Sequence, residues 1–282
     1  MTDSEAGFEP LFNGIDLDGW VTKPRIYGHM YPGGPHVLEW ATQFPPDYNE
    51  VSALHPARWT VEDDVIVGRQ DDTDGGGWGG FLVTERTFTD FELRLEMKPD
   101  WPADSGIILR KQADSWEGLQ VLLDHRRSGA IGGFYGNGIG SFHAIPFAIK
   151  AERDAEGNAI GLAIEEDPSE SVEPFDPSKA ALLDYAVSAE DFLAAWRWND
   201  WNDLVVRCVG EIPAVTTWIN GVKIASIDLS TLVAPNFVAA DAAEALGNHI
   251  ALEVHDTDPM IGTERWGVGA ACRWRNIRIK EL

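Results

Sequence analysis

Phe91-Glu92-Leu93-Arg94-Leu95-Glu96-Met97-Lys98 alternates without a break: Phe91, Leu93, Leu95 and Met97 share one face, and Glu92, Arg94, Glu96 and Lys98 share the other. A period of two with charge on one side reads as a strand with one dry and one wet face. Outward from it, Ser105 to Arg110, Gly118 to Asp124 and Leu204 to Val209 carry apolar residues on both faces, as central strands of a covered sheet do. Thr216 to Ile219 and Val222 to Ala225 flank Asn220-Gly221, the pair favoured in a type I′ hairpin turn. His249 to His255 and Arg273 to Ile279 complete the set. Many short strands parted by Gly, Pro and Asn predict an all-β, antiparallel sandwich or barrel, not alternating β-α units.

Two stretches interrupt this pattern. Residues 21–58 hold Pro24, Pro32, Pro35, Pro45, Pro46 and Pro56 among aromatics, and residues 150–200 are acidic and Ala-rich. In the second, Ser188 precedes Ala189 to Trp196 as an N-cap precedes a short helix. With strands on either side and no linker composition, both read as insertions in a single domain spanning 1–282, placed to wall a binding pocket.

The chain has 22 Lys+Arg against 46 Asp+Glu, a formal net charge of −24. Nucleic-acid and anionic-membrane partners need clustered positive charge, so both are excluded as expected partners. The first residues are acidic, and no apolar run reaches the roughly 18 residues of a membrane span. The expectation is a cytoplasmic protein without a signal peptide. Cys208 and Cys272 lie too far apart for a redox pair or metal knuckle and read as buried small hydrophobes.

Among chemistry motifs, His-Glu-x-x-His, Gly-x-Ser-x-Gly and the Walker loop are all missing. Gly136-Asn137-Gly138-Ile139-Gly140 is not followed by a helix, which leaves two readings: a turn carrying polar groups such as Asn137 over a site, or a Gly-rich hairpin end. Asp71 to Gly77 reads as an acidic turn rather than a calcium loop.

Polar residues on apolar strands say more, because burying them costs free energy unless they are paired or used. Arg110 ends one central strand, Gln120 and Asp124 share a face of the next, and Glu253 and His255 share a face of the late strand. Together they predict one polar sheet face. That face is either a satisfied ion-pair network, Arg110 with Asp124 or Glu253, or a site. Trp20, Trp40, Trp59, Trp78, Trp101, Trp116, Trp196, Trp198 and Trp201 fall near turns or insertions. Loop-end aromatics beside amides and carboxylates make a small carbohydrate the leading partner class.

Phe8-Glu9-Pro10-Leu11-Phe12-Asn13-Gly14-Ile15-Asp16-Leu17-Asp18-Gly19-Trp20 resembles the opening of the 3-keto-disaccharide hydrolase family. The family order continues through Trp59 to Asp63, Phe88 to Leu93, Ser105 to Arg110, Trp201-Asn202, Asn220-Gly221, the His255 strand and the ending Arg275 to Leu282. The resemblance implies a concanavalin A-like jelly roll acting on glycosides already oxidised at C3. A C3 ketone acidifies the C2 proton, so a base can remove it and expel the anomeric substituent by β-elimination.

This chain departs from the family pattern. Its central strand reads Glu117-Gly118-Leu119-Gln120-Val121-Leu122-Leu123-Asp124, with both acids displaced by one position, and Glu253 stands where many members have Gln. On this reading Glu253 or His255 is the base, Asp124 completes the catalytic set, and Arg110, Gln120, Asn137, His143 and Trp201 contact substrate. No cofactor is implied with certainty; a divalent cation held by Asp124, Glu253 and His255 is an open alternative. A second reading keeps the same residues as hydroxyl contacts of a non-catalytic carbohydrate-binding jelly roll.

Overall fold

In the computed structural model, which describes residues 6–41 and 43–282, the Phe91–Pro99 strand lies near the middle of a nine-stranded sheet. Its neighbours are Asn202–Val209 on one side and Cys272–Glu281 on the other, both antiparallel to it. Ala214–Ile219, Val222–Asp228 and the short Tyr185–Ala186 extend the first edge; Val65–Arg69 and Arg58–Glu62 extend the second. Glu9–Pro10 pairs with the C-terminal strand, joining the chain's two ends.

A seven-stranded sheet packs against this one, in the order His143–Ala144, Ile131–Asn137, Gly118–Leu123, Ser105–Lys111, His249–Val254, Gly80–Thr84, Trp20–Pro24. The pairings are antiparallel throughout, so the protein is an all-β jelly-roll sandwich. Phe91, Leu93, Leu95 and Met97 from the larger sheet meet Leu119, Val121, Leu252 and Val254 from the smaller in one apolar core. Burial of that apolar area is the main force holding the sheets together.

Local chemistry sets the details. Asn220 and Gly221 both have positive φ, 48° and 82°, as the type I′ turn requires. Ser188 caps the Ala189–Ala195 helix, its side chain accepting from Asp191 N. Both cysteines are buried and unpaired. The Asn202–Val209 strand corrects one expectation: Asp203 and Arg207 are exposed, so this central strand keeps one wet face, like Phe91–Pro99 beside it.

The centre of the smaller sheet is buried on both faces, since Ser105–Lys111 and Gly118–Leu123 contain no exposed residue, while Val21 and Thr22 on its edge strand are exposed. Part of the outer cover is the Pro-rich segment. Tyr27, Val37, Ala41, Phe44 and Tyr48 form a separate apolar cluster with Trp116. Of the second insertion, residues Ile149–Arg153 and Ala159–Ile164 pair as a two-stranded ribbon. The acidic turn is a single 3-10 turn in which Asp71 accepts from Arg58 and Thr73.

Candidate active site

Period-two alternation places the polar groups. On Gly118–Leu123, Leu119, Val121 and Leu123 enter the core, so Gln120 and Leu122 face the other way, and continuing that alternation places Asp124 and Arg126 with them. On the late strand Ile250, Leu252 and Val254 enter the core, leaving Glu253 and His255 on the same outer face. That face is the floor of a cavity of about 380 Å³, within the roughly 300–1,000 Å³ of small-ligand sites. The Pro-rich segment supplies one wall through Arg25, Tyr27, Met30, Val37 and Phe44. The turn after the late strand supplies Asp258, Met260 and Arg265. The 150–200 insertion contributes Glu173 alone, so its expected role as a wall is mostly filled by residues 258–265.

His255 is 7% exposed and lines this cavity. Its Nδ1 lies 2.7 Å from Asp256 Oδ1 and 2.9 Å from the Asp256 carbonyl, both acceptors, so Nδ1 carries the hydrogen. Nε2 then presents a lone pair. Arg25 Nη2, a donor, sits 3.0 Å from it, and Asp104 Oδ2 lies 3.9 Å away. Asp256 is held in turn by the hydroxyls of Tyr27, at 2.9 Å, and Tyr48. Burial by itself would raise the Asp256 carboxyl, but His255, Arg25 and Tyr48 outweigh it and hold the group well below the usual carboxylate range.

The two remaining acids of the floor diverge. Burial acts against the charge of Asp104 also, but His255, Arg265 at 2.5 Å and Arg126 keep it ionised far down the pH scale. For Asp124 burial prevails over Arg126, and neighbouring Asp104 adds to it, so the carboxyl titrates well above its ordinary value. Asp124 Oδ1 and Arg126 Nε stand 2.9 Å apart as an ion pair without hydrogen-bond alignment, Arg126 Nε lies 3.5 Å from Asp104 Oδ2 as well, and neither Asp124 Oδ1 nor Arg126 Nε makes a hydrogen bond. Arg126 also binds Glu173 at 2.7 Å. Two carboxyls whose environments drive them apart are the arrangement that separates an acid from a permanent anion.

Glu253 has no exposed surface and lies beneath the cavity lining, bonded to Arg25 Nη1 and Gln120 Nε2. Gln120 reaches it past Gly106, where a Cβ would come within 2.6 Å of Gln120 Nε2, so glycine is needed at that crossing. Gln120 Oε1 accepts from Asn137 Nδ2 at 3.2 Å, and Asn137 Oδ1 is buried without a partner at the cavity edge. His143 also lines the cavity, and burial pushes its ring down to about 4, which keeps it neutral. The Gly136–Gly140 stretch is thus both a hairpin end and a carrier of polar groups over the cavity.

Two expected contacts lie elsewhere. Arg110 has φ 52° and marks a β-bulge, the register jumping between His249↔Lys111 and Ala251↔Ile108. The extra residue sends the Arg110 guanidinium to Asn248, the Gly210 carbonyl and Asp90, and puts Lys111 on the outer face, over the Phe81 ring. Trp201 stacks under Arg275, which bonds Glu96 on the wet face of the larger sheet.

The cation alternative also fails on the donor set. Among the described residues no three His, Cys, Asp or Glu side chains converge as metal ligands. Asp124 is taken by Arg126, Glu253 by Arg25 and Gln120, and His255 by Arg25 and Asp256. Guanidinium groups stand where a metal would have to bind.

Arg25, Asp104, Arg126, Asp256 and Arg265 were not singled out from sequence. Arg126 and Asp256 had a signal, one extending the Gln120–Leu122–Asp124 alternation and the other following His255 directly. Arg25 and Arg265 come from irregular segments with no period to read.

One cavity of the jelly roll thus gathers a buried carboxyl, a His–Asp pair and three arginines, Arg25, Arg126 and Arg265. Residues 7–280 match the 3-keto-alpha-glucoside-1,2-lyase-like domain, and the chain belongs to that family. No significant match is found among curated proteins. Of solved structures, one named "Putative glycosyl hydrolase" from Parabacteroides distasonis is similar at 14% identity and TM-score 0.48, covering 98% of this chain and 99% of that one. The carbohydrate binding module CBM66 from Bacillus subtilis is similar at 10% identity and TM-score 0.42, covering 80% and 92%.

Proposed function

We propose that this chain cleaves 3-keto-glycosides by abstracting the C2 proton and eliminating the anomeric substituent. The observation that carries this reading is the Asp256–His255 pair in the lining of the cavity that also holds the raised carboxyl of Asp124, with Arg25 on the His255 Nε2. Family membership supports the same chemistry.

His255 Nε2 takes the C2 proton, and the C–H electron pair moves into C2–C3 and onto the C3 oxygen. In the resting protein Arg25 Nη2 donates to Nε2 at 3.0 Å; that bond must pass to the C3 oxygen when substrate binds, which frees the Nε2 lone pair and places a cation against the negative charge that develops on that oxygen. The enolate then restores the C3 carbonyl, C1=C2 forms, and the C1–O1 bond breaks. Asp124 gives its proton to O1, releasing the aglycone as a neutral alcohol and leaving an enone. Water adding across C1=C2 turns that enone into the free 3-keto sugar, the hydrolase outcome. Asp256 keeps Nδ1 protonated and stabilises the imidazolium, as the acidic member of a triad does. Glu253 holds Arg25 and Gln120 in place and is a positioning residue.

The deciding experiment is incubation with a 3-keto-glucoside and with its unoxidised parent, following enone absorbance and aglycone release. Turnover restricted to the keto form is the expected result. Equal turnover of both returns the protein to ordinary glycoside hydrolysis, and binding without turnover of either makes it a binding module.

A further inference from the structure

A second cavity, of about 440 Å³, shares no lining residue with the first. Its walls are Trp101, His125, Trp198, Asn158, Asn199 and the Gly267–Ala270 loop. The two cavities lie on opposite sides of one backbone seam, where Ala103 bridges both His125 and Trp266. Asp124 and Arg126 line the first cavity while His125 between them lines the second; Arg265 lines the first while Gly267 lines the second.

The lining is built, not incidental. The Trp101 and Trp198 rings lie 6.0 Å apart at 46°, and each is 5.2 Å from the His125 ring. His125 is 1% exposed; its Nδ1 faces the Asp100 carbonyl at 3.0 Å, and its Nε2 is buried with no partner. Burial pushes this imidazole down to about 4, so it is uncharged at neutral pH. The carboxylate of Asp100 is already neutralised by Arg273 at 2.6 and 3.3 Å. Two indole faces, an uncharged imidazole and two amides, with no free carboxylate, suit a neutral ligand that has both apolar faces and hydroxyls. At the lip, Val268 is 97% exposed between two glycines.

We propose that this cavity is a second, non-catalytic saccharide-binding site, which holds an uncharged sugar ring by stacking on Trp101 and Trp198. It gives the 150–200 insertion a role, since Asn158, Ala159, Trp198 and Asn199 come from it.

The test is calorimetric titration of the full chain with cellotriose, maltotriose and laminaritriose, and with choline as the cationic ligand an aromatic cage prefers. At least one trisaccharide is expected to bind in the millimolar range, weakening about tenfold or more in Trp198→Ala. Ala159→Trp, which fills the cavity from an edge of the ribbon without removing packing, should do the same, while turnover of a small 3-keto-glucoside stays unchanged in both. His255→Ala should leave trisaccharide binding intact. The proposal is overturned if no trisaccharide binds, if choline binds more tightly, or if binding is lost in His255→Ala and kept in Trp198→Ala.

Discussion

Asp256 Oδ1 lies 2.7 Å from His255 Nδ1, and this contact decides which ring nitrogen carries the lone pair toward the cavity. A residue next in sequence thereby sets the tautomer of its neighbour. His255→Ala is expected to lower kcat by roughly 10²–10⁴, the usual contribution of a positioned base. Substrate deuterated at C2 should show a primary isotope effect or exchange with water; full retention of the label in the sugar product excludes C2 deprotonation.

Glu253→Gln separates the two candidate bases. Glu253 lies beneath Arg25 and Gln120, so the variant should keep kcat within about tenfold while destabilising the fold, because it leaves Arg25 with less compensation in a buried place. A loss as large as that of His255→Ala would transfer the base role to Glu253.

Asp124→Asn removes the proton donor, and the penalty should depend on the leaving group. Keto-glycosides of p-nitrophenol, which leaves readily as an anion, should lose far less than those of alkyl alcohols. Because the Asp124 carboxyl titrates above its ordinary range, activity on poor leaving groups should fall as pH rises through that raised value, a limb that the p-nitrophenyl substrates should lack. Equal losses for both substrate types would remove Asp124 from the acid role.

The protein is expected to lose stability between pH 6.5 and about 4 through His125, which is buried, and His143, which is half-buried. Burial depresses His125 and His143 from 6.5 to about 4, so the unfolded chain takes up protons in this window before the folded one does. Their contribution is therefore complete above 6.5 and is lost as pH falls. For fully buried His125 the loss reaches about 3 kcal/mol by pH 4. Chemical denaturation across this range should show the slope, and His125→Phe should flatten it; an unchanged slope in that variant means that the ring is protonated in the native state.

The alternation at 91–98, the Asn220-Gly221 turn, the Ser188 cap and the shared face of Gln120 and Asp124 were all legible in the chain, because each depends on residues within a few positions of one another. The same locality identified Glu253 and His255 as the polar face of the late strand. Which cations meet those acids was decided only by the tertiary structure. Arg110 has the right parity on paper, yet one left-handed residue shifts the register and sends it to Asn248 and Gly210. Arg25 takes its place on Glu253 across 228 positions of chain, carried there by an irregular segment whose aromatic cluster packs over the sheet. A strand's period is a property of the backbone and is written locally. Ion pairing in a covered cavity is fixed by burial, which exists only once distant segments have closed over the same face.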